Sequence, residues 1–224
     1  MEFALRTLCD CNIKNEELAQ KACKYIAKHA DLEKGIPTIF FSSAQYPRAE
    51  HWQNSFATEP SFSRLTGLIG LLKWQGIDNP WLEKAVESCL ENISSNIYED
   101  AHTILTAFCL LECLPQTEYI RGLFLKLSNE LYSSKFFRID ADSKQYGLSP
   151  LEFAPSSTSY CRRIFTEDLL LKHVEVLAAQ QESDGGWQIN WEPPGETARL
   201  EWRAYVTLKN LMILNSYKPY KLTL

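Results

Sequence analysis

Residues 178–192 read AAQQESDGGWQINWE, and the fold turns on how this stretch is read. A helix-forming run ends at Gln181, and Asp184-Gly185-Gly186 follows as a helix stop, because glycine supplies the positive φ that a helix C-terminus needs. Trp187 and Trp191 then flank an extended turn, and their indoles are expected to pack against the helix just ended. The unit is a helix, a glycine corner and an aromatic pin.

Working outward, helical periodicity dominates the chain. A helix over residues 16–30 presents Leu18, Ala22, Tyr25, Ile26 and Ala27 on its apolar side. Pro60 or Ser61 opens the next, with Leu65, Leu68, Ile69, Leu72 and Trp74 inward and Gly76 as its stop. Asn79-Pro80 pairs a cap with proline at the first helical position, and the third helix runs to about residue 93. The fourth, over 98–114, is apolar nearly all round, which marks a central helix. A fifth over 116–132 carries Tyr119, Leu123, Leu127 and Leu131. Thr166 caps a sixth that ends at Gln181, with Glu167 and Asp168 favoured by its dipole. The seventh spans 196–216, with Leu200, Ala204, Leu208, Leu211 and Leu214 assigned inward. These seven helices give an all-α domain, read as a single unit over residues 1–224.

Two long irregular stretches, 31–59 and 134–165, interrupt the helices. Both are rich in aromatics (Phe40, Phe41, Tyr46, Trp52 and Phe56; Phe136, Phe137, Tyr146 and Phe153), so both are expected to be folded rather than disordered. A faint repeat also emerges. KHADLEKGIPTIFF (28–41) can be laid on AQQESDGGWQINWE (179–192), which sets Gly35 opposite Gly186 and Ile36 opposite Trp187.

The totals exclude several classes. A net charge of −5 with no basic stripe argues against a nucleic-acid partner. The longest apolar runs are about eight residues, too short for a membrane span. The polar N-terminus does not read as a signal peptide. Seven cysteines without a Cys-x-x-Cys spacing fit a reducing cytoplasm, with Cys109 and Cys113 expected as small buried hydrophobes.

The spacing Gln181-x-x-x-Gly185-x-Trp187 closely resembles the QW repeat of the terpenoid-cyclase and protein-prenyltransferase superfamily, the squalene–hopene cyclase type. The similarity covers about the last 60 residues, and GIPTIFFSSAQYPRAEHW and YGLSPLEFAP resemble segments of half-length bacterial members. The resemblance implies an α/α toroid of helical hairpins joined by QW-type corners. A complete toroid of that family holds many more helices than the seven read here, so a short or incomplete one is expected, or a half completed by association into a homo-oligomer.

The family's two chemistries set the candidate residues. Proton-initiated cyclases use the middle acid of Asp-x-Asp-Asp; Asp140-Ala141-Asp142-Ser143 is the nearest match, with Asp142 in the donor's place, Asp140 before it, and Ser143 where the last Asp belongs. The bland reading of these aspartates is a solvated turn. No set of zinc ligands suits the prenyltransferase chemistry, and neither a metal nor a cofactor is expected.

Of the other polar residues, Glu99 and His102, at i and i+3, are assigned to one helix face as possible ligand or metal contacts, against a reading as first-turn acids. Glu201 and Arg203, beside Trp202 on the last helix, divide between a pocket role and a structural ion pair. Trp187, Trp191 and Trp202 are packing anchors or, in a cyclase-like cavity, faces for an apolar or cationic ligand. His51 and His173 read as unremarkable, His173 as exposed, and Arg162-Arg163 as a solvated or salt-bridged pair with a phosphate or diphosphate contact as the alternative.

Two functions follow as expectations. One is a helical cavity for an isoprenoid or lipid-like small molecule, with any reaction unproven. The other is a non-catalytic α/α scaffold that binds a protein or itself through an exposed apolar patch.

Overall fold

A computed structural model describes residues 1–40, 46 and 59–218. Phe41, His51, Trp52 and Phe56 lie outside the described residues. Among the described residues the chain is mainly helical: α1 (Glu2–Asp10), α2 (Glu16–His29), α3 (Phe62–Gln75), α4 (Pro80–Ser95), α5 (Ala101–Glu112), α6 (Glu118–Leu131), α7 (Pro150–Phe153), α8 (Glu167–Ala179) and α9 (Glu196–Tyr217), with a 3-10 turn at Tyr160–Ile164. The only ladder among them is a two-residue antiparallel pair, β1 (Ile36–Pro37) on β2 (Pro60–Ser61), with Ile36 opposite Ser61. The chain gathers into two compact units, residues 1–98 with 106–127, and residues 99–105 with 128–224.

In the first unit the helix starts are written in caps. Asn15 Oδ1 accepts from Leu18 N–H, Ser61 from Arg64 N–H, and Asn79 from both Trp81 and Leu82 N–H ahead of Pro80. Each satisfies an amide that the first helical turn leaves without a partner. Gly76, at φ 78°, closes α3 in the left-handed region. α3 is the centre of the unit and packs against α1, α2 and α4. Its glycines admit α5: a Cβ at Gly70 would stand 3.2 Å from the Leu110 backbone. Beside that approach Ser63 and Thr106 hydroxyls bond at 3.2 Å, and Phe108 stacks on Phe124. Buried Gln75 fastens the chain ahead of α2, accepting from Asn15 N–H and donating to Ile13 O.

α1 is absent from the sequence reading. It has no side-chain cap and buries only Leu5, which fits against the core while an Arg64–Glu2 ion pair joins α1 to α3. Leu18, Tyr25 and Tyr119, assigned inward from periodicity, are exposed. Cys109 is exposed as well, whereas Cys23, Cys89 and Cys161 are buried.

In the second unit the 134–165 stretch is folded, as its aromatics suggest. Phe137, Phe153 and Phe165 form a buried cluster with Tyr132 at its edge. A capping box of Ser149 and Glu152 starts α7, and Lys209 of α9 pairs with the same carboxylate. Tyr217, fully buried, donates its hydroxyl to Ala154 O at 2.8 Å. His173 is a correction: it is buried, and its Nε2 lies 2.9 Å from Ile139 O, which holds the segment before the 140–142 turn against α8.

Candidate functional site

The glycine corner after α8 is built from local bonds. α8 ends at Ala179, two residues short of the expected stop. Glu182 N–H donates to Gly186 O, and Gly185 N–H to Glu182 O, each at 2.8 Å. Gln181 Nε2 caps the turn on Gly185 O at 2.9 Å, and Gly185 sits at φ 85°. This delivers Trp187 into the core, 2% exposed, with its indole N–H on Leu177 O at 2.8 Å. The indole therefore satisfies one of the carbonyls that the C-terminus of α8 leaves open. Trp187 is packed as an anchor.

The two segments laid on each other in the sequence share one backbone bond. Asp31 N–H donates to Gly35 O at 2.9 Å, the counterpart of the bond from Glu182 to Gly186. Ile36, counterpart of Trp187, is likewise buried. Two helix–turn units thus close with the same backbone bond and bury the residue that follows it.

Arg203 completes the corner. Its guanidinium grips Asp184 through two bonds of 2.6 and 2.7 Å, reaches Glu182 at 3.2 Å, and lies against Gly186, where a Cβ would come within 2.8 Å of Nη2. Those hydrogen bonds hold the Asp184 carboxyl down at about 2. Arg203 is thus a clamp between corner and α9, and Asp184, read from sequence only as part of a helix stop, is its partner. Glu201 is exposed on α9.

Trp191 and Trp202 meet edge to face at 5.3 Å, and Tyr205 continues the ladder at 5.7 Å. All three remain more than a third exposed. On α9 they border Leu200, Ala204, Leu208, Leu211 and Met212, also exposed, while Asn210, Ile213 and Tyr217 are buried instead. The face assigned inward from periodicity is the outward one. α9 is apolar on both sides, so periodicity alone could not choose between them.

Asp140 and Asp142 occupy an exposed turn. Asp140 Oδ1 accepts from Asp142 N–H at 3.1 Å, and Asp142 lies 3.8 Å from Lys172, with 70% of its side chain in solvent. This is the Asx-type turn of the bland reading, without the apolar enclosure a proton donor to an alkene requires.

The Glu99–His102 relation is corrected. α5 begins at Ala101, so Glu99 precedes the helix and pairs with Lys135 at 3.3 Å. His102 instead bonds Asp100 through Nδ1 at 3.0 Å and the Tyr146 hydroxyl through Nε2 at 3.1 Å. A carboxylate only accepts, so Nδ1 is the ring nitrogen that donates to Asp100. Phe136 packs on both rings with φ at 64°, a left-handed conformation uncommon outside glycine. Sequence spacing contained Asp100 and His102 but gave no sign of Tyr146, 44 residues on.

No family model, curated protein or solved structure matches the chain. Among the described residues no helix is long and apolar enough to cross a membrane, and no group of three or more His, Cys, Asp or Glu side chains is placed to hold a metal ion.

Proposed function

We propose that this chain is a helical domain of the terpenoid-cyclase and protein-prenyltransferase type that acts without the cyclase acid, by pairing the outer face of α9 with that of a second copy. The observation that carries the reading is the apolar stripe of Leu200, Ala204, Leu208, Leu211 and Met212, left in solvent on a helix whose opposite face is already buried. Burying one such leucine contributes about 1.5–3 kcal/mol, so a stripe of this kind marks an association surface.

The stripe suits itself. It extends about 18 Å along the axis at 1.5 Å per residue, and an antiparallel pairing sets the small Ala204 of each copy against Leu208 of the other. The cations that flank it, Arg203 and Lys209, are committed within the chain to Asp184 and Glu152 and bring no uncompensated repulsion. The QW-like corner and its counterpart at residues 31–35 support membership of an α/α toroid family, short or incomplete in this chain. The solvated Asp140–Asp142 turn supports the loss of proton-initiated chemistry.

Sedimentation velocity tests the pairing. The wild type is expected as a dimer at micromolar concentration, and Leu208→Glu as a monomer with unchanged helical circular dichroism. A wild type that stays monomeric at high micromolar concentration would sink the proposal.

A second reading has its own observation, the half-exposed Trp191–Trp202–Tyr205 ladder. An isoprenoid or lipid-like alcohol laid across it would quench tryptophan fluorescence. Saturable quenching by geranylgeraniol, lost in Trp202→Ala and kept in Leu208→Glu, would favour ligand binding over pairing.

A further inference from the structure

Within the second unit, the segment between α7 and α8 encloses an open cavity of about 410 Å³. Its lining is polar and cationic: the hydroxyl side chains of Ser157, Thr158 and Ser159 and the guanidiniums of Arg162 and Arg163, against one carboxylate, Glu167. Phe165 and Leu170 form an apolar floor.

The parts are held in place by the rest of the unit. Ser157 N–H donates to Ser216 Oγ of α9 at 2.9 Å, and the Ser216 hydroxyl passes on to Ser156 Oγ at 3.1 Å. Ser156 in turn accepts from Thr158 N–H, which rounds the segment into a tight turn. Ser159 Oγ accepts from Ser156 N–H, so its own proton stays available to a further acceptor. Arg162 lies 3.4 Å from Glu167.

Arg163 differs. Its guanidinium carbon sits over the Tyr160 ring, 4.0 Å from the centroid, and among the described residues it meets no carboxylate and spends no N–H on a hydrogen bond. Contact with a ring face restrains a guanidinium without using its N–H donors, and Arg163 lines the cavity. A pre-oriented fork beside hydroxyl donors matches the geometry of a tetrahedral oxyanion.

We propose that this cavity binds a small phosphate-bearing anion, with Arg163 as the bidentate donor and Ser159 as a second donor. Free phosphate and the phosphate of an organic monoester share this chemistry, and the apolar floor of Phe165 and Leu170 suits the organic part of a monoester.

Isothermal titration calorimetry of the full chain with inorganic phosphate, and separately with phenyl phosphate, tests the site. Saturable binding of either is expected, weakened at least tenfold in Arg163→Ala and a few-fold in Ser159→Ala. Tighter binding of phenyl phosphate would identify a monoester site, and tighter binding of inorganic phosphate a free-phosphate site. Arg163 is exposed, so its variant should melt as the wild type does; Arg163→Lys, which keeps the charge but loses the fork, should recover only part of the affinity. No heat from either probe at millimolar concentration, or binding unaltered by Arg163→Ala, would overturn the proposal.

Discussion

A tryptophan that fills space and also satisfies a helix carbonyl makes two separable contributions, and Trp187 allows them to be divided. Trp187→Ala opens a cavity under the corner and is expected to cost about 3–5 kcal/mol. Trp187→Phe keeps most of the ring but leaves Leu177 O without its donor, for a smaller loss of about 1–3 kcal/mol. Urea denaturation measures both, and equal losses in the two variants would mean that the indole N–H carries the anchor. At the neighbouring Asp184 the acidity makes the prediction. Its carboxyl is lowered from 3.8 to about 2 by the Arg203 hydrogen bonds, so the ionised form belongs to the folded state. The stabilisation is therefore fully present above the unfolded value and disappears as pH falls from about 4 through about 2. The melting-temperature difference between wild type and Asp184→Asn should be constant above pH 5 and shrink towards zero at pH 2. A difference unchanged across that range would show that the clamp contributes nothing through charge. The pairing was not legible from spacing: Glu201, two residues before Arg203, does not face it along a helix, and the residue that meets Arg203 lies 19 positions away, across a turn.

At the scale of elements, caps decided the helices. Asn15, Ser61, Asn79 and Thr166 each carry a side-chain oxygen at a helix start, and all four helices begin where those residues place them. α1 lacked any such signal and went unread. Glycines separate turns from helix interiors in the same way. Gly35 stands at φ 102°, and an added Cβ would lie 2.3 Å from the Ser61 backbone, whereas Gly122 in α6 has open space around it. Gly35→Ala should therefore destabilise by more than about 1 kcal/mol, and Gly122→Ala should stabilise by about 0.5–1 kcal/mol. Thermal melts of the two variants check the pair, and a neutral Gly35→Ala would deny that β2 packs on the turn after α2.

Over the whole molecule, no disulfide joins any of the seven cysteines, and burial sorts their thiols. Cys11 and Cys109 are exposed; Cys23, Cys89 and Cys161 are buried, and burial pushes the Cys89 thiol up to about 11. Pulsed alkylation along a denaturant series should label exposed Cys11 at once. Cys23 and Cys89, both in the first unit, should then open with a common midpoint. Labelling of Cys23 well before Cys89 would show that this unit does not unfold as one. The amino-acid sequence alone determined the mainly helical class, the approximate places of seven helices and the glycine corner that throws Trp187 inward, because caps, stops and 3.6-residue periodicity act between residues close in the chain. Tertiary structure decided which side of α9 is buried, that His173 is inside, that His102 meets Tyr146, and that Arg203 is a clamp. Those outcomes depend on partners distant in sequence, and a helix apolar on both faces, or a polar group that finds a buried acceptor, carries no local mark of which way it will turn.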